Sequence, residues 1–263
     1  MPLDGIPDFD LCRPYSVAAA VTAASVPGAV YAAGCTDLIP RLRDGAGCGT
    51  LVSLEAVTEL RQIGWDGSTL TIGAAVDHDT GAHHPAVTAA LPGLAMAWRQ
   101  IANHRVRLRA TIGGNIMARQ RRYELPVLLA AAGARLNFAV PGGQLVLLPA
   151  DLWHQPAPPG ALLQAVTIPR ASELWLGYDR SLRPSLTVAV AVRGETVRLA
   201  AGPGNAPPAL ATASVADDPG ALTTLLPGNL GDAETSEEYR RHAIGVLASR
   251  LLDSYRSGRE QRG

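Results

Sequence analysis

The sequence predicts an α+β fold. Strand-like and helix-like stretches follow one another at uneven spacing, which favours segregated helices and sheets over a doubly wound βαβ repeat. Two glycine-containing turns, AAGCTDL and ATIGGN, match neither GxGxxG nor GxxxxGK[ST], which argues against Rossmann and P-loop architectures. Near residue 170 the mixed pattern gives way to a strand-rich one, placing a domain boundary there.

The elements follow in order. Residues 16–24 (SVAAAVTAA) form a short helix with Ser16 as its N-cap, and residues 29–32 (AVYA) a buried strand. Residues 50–54 form another strand and 58–64 a turn or short helix. TLTIGAAV, from Thr69, alternates as a strand and ends at the polar cluster DHDTGAHH. Residues 84–104 are helical, with Pro85 and Pro92 marking starts and Leu94, Met96, Ala97 and Ile101 forming the apolar stripe. A further helix over 125–134 closes at Gly133. Segments 136–139 and 144–148 flank Pro141-Gly142-Gly143 as a hairpin, and 163–168 is a strand. Strands over 185–192 and 196–202 and a long helix over 236–254, capped by Ser236, complete the chain.

Composition narrows the function. The chain has 263 residues, 47% hydrophobic and 17% charged, and a formal net charge of zero, so it is globular and offers no global field for nucleic acid. All 23 basic side chains are Arg, which excludes a Schiff-base lysine and a P-loop lysine. Cys12, Cys35 and Cys48 are too scattered for a zinc or iron–sulfur motif and predict a reduced, cytoplasmic setting. The N-terminus lacks the basic and apolar regions of a signal peptide, and no apolar run of about 18 residues predicts a membrane span. There is no GxSxG, and aromatics are too few, at 5%, for a single-strand nucleic-acid platform.

Two features bear on chemistry. Between Thr80 and Tyr123 there is no Asp or Glu, while Arg99, Arg105, Arg107, Arg109, Arg119, Arg121 and Arg122 all fall inside. Such a cluster beside a glycine pair suits an anionic cofactor or substrate, and equally a solvated face or a subunit interface. Asp77, His78, Asp79, His83 and His84 have the chemistry of metal ligands, but without ligand spacing they read as turn and cap residues, so no metal is assigned.

Taken in order, the motifs resemble those of one family. FDLCRPYSVAAAV resembles F-x-x-x-RP-x-S-x-x-x-A, AAGCTDLIPRLR resembles AGGTDLxPxxR, TIGAAVDH resembles IGAxTTH, and IANHRVRLRATIGGNI resembles VRNxATIGGNI. ELPVLLAAAGA, LLQAVTIP, GYDRSLRPSLTVAVAV and SEEYRRHAIGVL follow in the same order. The chain is thereby similar to the FAD-binding medium subunit of the molybdenum hydroxylases, the group of carbon monoxide dehydrogenase and xanthine dehydrogenase.

The resemblance implies a two-part FAD-binding domain of the vanillyl-alcohol-oxidase (PCMH) type over 1–170, with parts of about 1–55 and 56–170, and a smaller C-terminal α+β domain over 171–263. It implies an oxidoreductase component relaying electrons from molybdenum-cofactor and iron–sulfur subunits to an external acceptor, with a homo-oligomer left open. Its pyrophosphate loops map onto Ala33, Gly34, Cys35, Thr36, Asp37 and Leu38, and onto Thr111, Ile112, Gly113, Gly114 and Asn115. Glu124 takes the acidic position after the second loop, Ile168 the border of the adenine, and Tyr178 the cover of the isoalloxazine. Departures are Cys35 for a glycine, Val76-Asp77 for a Thr pair, Leu108 for Asn, and Gln120-Arg121 for Asp-Pro. These leave two alternatives: a stand-alone flavoprotein of specialised metabolism, acting as an oxidase or a cyclase, and a scaffold that has lost FAD.

Overall fold

The computed structural model describes residues 6–155, 157–181, 186–203, 206–217, 219–228, 230–231 and 235–260. The chain opens with β1 (Asp10–Cys12), α1 (Val17–Ala23), β2 (Ala29–Ala32), α2 (Leu38–Arg43) and β3 (Thr50–Ser53). Its three strands pair in parallel, in the order β1-β3-β2. Ser16 caps α1 as predicted, its Oγ accepting from the Ala19 amide at 3.2 Å.

A second sheet is antiparallel and five-stranded, in the order β4-β5-β8-β6-β7. Its strands are β4 (Ile63–Trp65), β5 (Leu70–Gly73), β6 (Arg135–Val140), β7 (Gly143–Leu147) and β8 (Leu162–Ile168). Between β5 and β6 lie α3 (His78–His83), α4 (Pro85–Ala90), α5 (Pro92–Arg99), α6 (His104–Arg107), α7 (Ile112–Ala118) and α8 (Leu125–Ala132). The predicted helix over 84–104 is thus divided, because Pro92 has no amide to continue α4 and Ala102 turns the chain at φ 56°.

The third sheet, β12-β11-β10-β9, is antiparallel. It comprises β9 (Trp175–Arg180), β10 (Thr187–Arg193), β11 (Thr196–Gly202) and β12 (Ala209–Ser214), followed by α9 (Pro219–Thr224) and α10 (Glu237–Glu260). Residue 185, where the strand over 185–192 was expected to begin, lies outside the described residues, as do 1–5.

The alternation in β10 shows how this sheet joins the rest. Ala189 and Ala191 pack into the core that contains α8, while Val188, Val190 and Val192 pack into the core under α10. Period-2 side-chain direction turns TVAVAV into a strand buried on both faces. Alanines on one side let α8, whose eight residues are all buried, lie against the sheet. At Gly93 the backbone of α5 meets the Leu176 carbonyl so closely that a Cβ would overlap the oxygen, tying β9 to the helical layer. Among the described residues, no helix is long and apolar enough to cross a membrane.

Candidate functional site

The first glycine turn connects β2 to α2, and the second leads into α7. The second is pinned from below by backbone bonds: His78 N to Ala110 O at 2.9 Å, Ile112 N to Val76 O at 3.0 Å, and Gly113 N to Ala74 O at 2.9 Å. Sequence alone predicts a tight turn at ATIGGN. In the structure Thr111 is an N-cap, its Oγ1 accepting from Gly114 N at 3.0 Å, so the glycine pair occupies the first turn of a helix.

The two turns meet directly. A Cβ on Gly34 would overlap the Arg109 carbonyl oxygen, and one on Gly113 would lie 2.7 Å from the Ala74 oxygen. Absence of side chains therefore brings the two backbones together. Cys35 lies in the left-handed region at φ 60°, a conformation unusual for a non-glycine residue. Its thiol donates to the Ala33 carbonyl at 3.5 Å, and burial raises its pKa against the opposing effect of Arg109.

Between the turns lies a cavity of about 530 Å³. Ala33, Gly34, Cys35, Thr36, Asp37, Leu38, Thr111, Gly113, Gly114, Asn115 and Glu124 all line it. The structure does not bring Ile168 and Tyr178 there: Ile168 is fully buried opposite Leu70, and Tyr178 sits behind Glu124. Of the seven clustered arginines, Arg122 alone is among the lining residues. Arg99 and Arg107 instead donate to the carbonyls of Ala82 and Ala102. Cations reach the cavity from elsewhere as well, from Arg41 on α2 and Arg180 on β9.

Arg180, like Arg41 and His78, is a lining residue that sequence reading missed. It comes from the third sheet and pairs with Glu124 at 2.7 Å across 56 residues of sequence. Glu124 is buried, and burial raises its pKa, while the bond and charge of Arg180 pull the other way. Tyr178 donates to the same oxygen at 3.4 Å. The strand pattern of GYDR gives no sign of this pairing, which exists only once the sheets have packed.

His78 is almost completely buried at the cavity wall, and its Nδ1 accepts from the Trp98 indole at 2.8 Å. Burial lowers its pKa to about 4, so the ring is neutral with its proton on Nε2. Of the other members of DHDTGAHH, Asp79 faces His104 at 3.9 Å and Arg107 at 4.0 Å, and the rest act locally. Asp77 caps α3 through Thr80, His84 caps α4 through Ala86, and His83 bonds the Asp79 carbonyl.

The arrangement suits a dinucleotide. Asn115 Oδ1 is buried without a hydrogen-bond partner, and a Cβ added at Gly114 would meet only Thr111 Oγ1, at 3.0 Å. An unpaired buried acceptor calls for a donor from a bound molecule. The walls supply apolar surface from Ala29, Val30, Ile101 and Leu162 as well as the cations Arg41, Arg122 and Arg180.

Comparisons with known proteins bear on the family and the fold. The family described as the FAD binding domain in molybdopterin dehydrogenase matches residues 7–171. The carbon monoxide dehydrogenase medium chain of Hydrogenophaga pseudoflava is 35% identical over 148 residues, 55% of this chain and 51% of that one. The caffeine dehydrogenase subunit beta of Pseudomonas sp. (strain CBB1) is 27% identical over 150 residues, 56% and 51% of the two chains. The matched stretch spans about half the length of these curated relatives. Among solved structures, Cu,Mo-CO dehydrogenase in its cyanide-inactivated form superposes with a TM-score of 0.81 at 24% identity, over 95% of this chain and 98% of that one. Quinoline 2-oxidoreductase from Pseudomonas putida 86 gives 0.82 at 23% identity, over 97% and 99%. At these identities the superpositions establish the fold.

Proposed function

The chain belongs to the family of FAD-binding domains of molybdopterin dehydrogenases, whose cofactor is FAD, and from that premise we propose that it is the flavin-bearing subunit of a molybdenum hydroxylase-type dehydrogenase. In this reading it relays electrons from molybdenum-cofactor and iron–sulfur partner subunits to an external acceptor. The domain limits are 1–170 for FAD binding, divided near 55, and 171–263 for the C-terminal domain. Three sheets confined to residues 10–53, 63–168 and 175–214 support them.

One observation carries the reading: two glycine turns meet backbone to backbone over a cavity with an unpaired buried acceptor. The turns from Ala33 to Leu38 and from Thr111 to Asn115 would hold the pyrophosphate, with Arg122 and Arg41 as nearby counter-charges. Asn115 Oδ1 would accept from a cofactor hydroxyl or N–H, and Glu124, held by Arg180, would accept from another. Ile168 and Tyr178 would border the adenine and flavin from outside the cavity wall, which requires their neighbours to shift. When bound, FAD supplies the redox chemistry, and the protein's share is to hold it, orient it and exclude water.

The test is an absorption spectrum of the purified chain together with a pull-down from its native host. A yellow protein accompanied by molybdenum and iron–sulfur subunits is expected. A colourless chain that refuses added FAD would contradict the proposal, and a yellow chain without partners would remove the relay.

Two further outcomes follow from the site. Gly114→Asp is expected to lower FAD affinity at least about 100-fold and the apo melting temperature by only a few degrees, since the Thr111 cap hydroxyl, 3.0 Å from the added Cβ, must give way slightly. Its Cβ meets only the Thr111 hydroxyl, but its carboxylate would share the pyrophosphate's place. Titration of flavin fluorescence measures the affinity. Cys35 should be protected from iodoacetamide about tenfold by FAD, read by mass spectrometry of its peptide, with half-buried Cys12 as the unprotected reference.

A further inference from the structure

Gln120 links the segment after α7 to the first glycine turn. Arg119 ends α7 in the left-handed region, at φ 50° and ψ 41°, and this reversal delivers Gln120 to the first glycine turn. There Gln120 Nε2 donates to Asp37 Oδ1 at 3.0 Å, across 83 residues of sequence. The other Asp37 oxygen faces Arg41 at 3.6 Å, so the two carboxylate oxygens serve different partners. The Gln120 carbonyl accepts from Tyr123 N at 3.1 Å, closing the turn that presents Arg122, Tyr123 and Glu124 to the cavity.

We infer that Gln120 is a positioning residue that fixes Asp37, and with it the first glycine turn, against the segment leaving α7, and so sets how long a dinucleotide stays in the cavity. The inference rests on the FAD reading above. Asp37 forms one wall and residues 122–124 another, so a molecule lying between them leaves more readily when the walls separate. An amide is the appropriate link, because it donates to one carboxylate oxygen without neutralising the ion pair that the other makes with Arg41.

The experiment measures FAD dissociation from the full chain by recovery of flavin fluorescence after dilution. Gln120→Ala removes one bond at an exposed site and is expected to release FAD about three- to tenfold faster. Gln120→Glu sets two carboxylates against each other and should accelerate release further. The decisive variant exchanges the roles, with Asp37→Asn combined with Gln120→Glu. The amide then lies on the first turn and the carboxylate on the segment after α7; the Asp37–Arg41 pair is lost, so release is expected to stay somewhat faster than wild type but to become clearly slower than in Gln120→Glu. Gln120 is exposed, so apo melting temperatures should stay within a few degrees throughout.

A wild-type chain that holds FAD while Gln120→Glu releases it at the wild-type rate overturns the inference alone. So does a double variant no slower than Gln120→Glu, since Gln120 would then act by packing or general charge. A wild-type chain that takes up no FAD fails earlier, and overturns the FAD reading along with this one.

Discussion

Gly34→Ala is expected to purify without flavin. The position needs a residue without a Cβ, because an added methyl would lie inside the Arg109 carbonyl oxygen and within 3.0 Å of the Ala110 Cα. Both obstacles are backbone, and no rotamer change relieves them. Arg109 and Ala110 cannot easily retreat, since Ala110 O is bonded to His78 N and the following residues to Val76 and Ala74. The first turn must therefore move, opening the junction that forms the cavity. Overpacking of this kind costs about 1–3 kcal/mol where side chains can yield, and the rigid backbone places this case at or above the upper end. FAD affinity should fall at least about 100-fold, and the melting temperature by several degrees. Gly47→Ala is the control, because a Cβ there meets nothing within 4 Å. Flavin titration and thermal melts of the two variants check this, and a Gly34→Ala chain that retains wild-type affinity would show that the turns do not meet as described.

What could be read from the sequence was local. Ser16 and Ser236 are caps in the structure, Pro85 and Pro92 start helices, and Gly133 closes α8 in the left-handed conformation at φ 69°. Each depends on groups a few residues apart, where backbone chemistry leaves little choice. ATIGGN was harder. A glycine pair ordinarily argues against helix, and only the Thr111 cap and the Ala74 and Val76 carbonyls beneath make it the start of α7. Strands β1 and β12 are edge strands, and neither was predicted: β1 has only three residues, and in β12 the buried positions of the alternation are alanines, which carry little hydrophobic signal.

The candidate site divides the same way. The eleven lining residues foreseen in the turns and at Glu124 belong to short contiguous motifs. The partners that shape them do not. Gln120 reaches Asp37 across 83 residues and Arg180 reaches Glu124 across 56. Both links depend on how sheets stack, which residue type alone does not encode. The arginine run left its role open for a related reason. A long guanidinium serves carbonyl groups as readily as anions, and Arg99 and Arg107 are used that way.

Arg180→Ala carries the largest electrostatic consequence, and its sign depends on pH. The guanidinium is the sole cation bonded to the buried Glu124 among the described residues, and Tyr178 remains as a longer contact. Without it a carboxylate is left in an apolar setting, a change that costs about 3–5 kcal/mol for a fully enclosed pair. The Arg180 side chain is 37% exposed, so water can partly replace it and about 2 kcal/mol at pH 7 is expected. Burial already raises the Glu124 pKa, and loss of Arg180 raises it further. The folded chain then keeps this proton to a higher pH than the unfolded chain does. The penalty is therefore absent below the ordinary glutamate value of 4.5, and it grows as pH rises through the folded value. The stability gap between wild type and Arg180→Ala, taken from urea melts, should be about 2 kcal/mol at pH 7 and should shrink clearly at pH 5. Glu124→Gln in the Arg180→Ala background removes the titrating group, and the gap between those two variants should carry the pH dependence. An Arg180→Ala deficit identical at both pH values would mean that Glu124 is not the group Arg180 holds in its charged form, and the link between the third sheet and the cavity would lose its electrostatic basis.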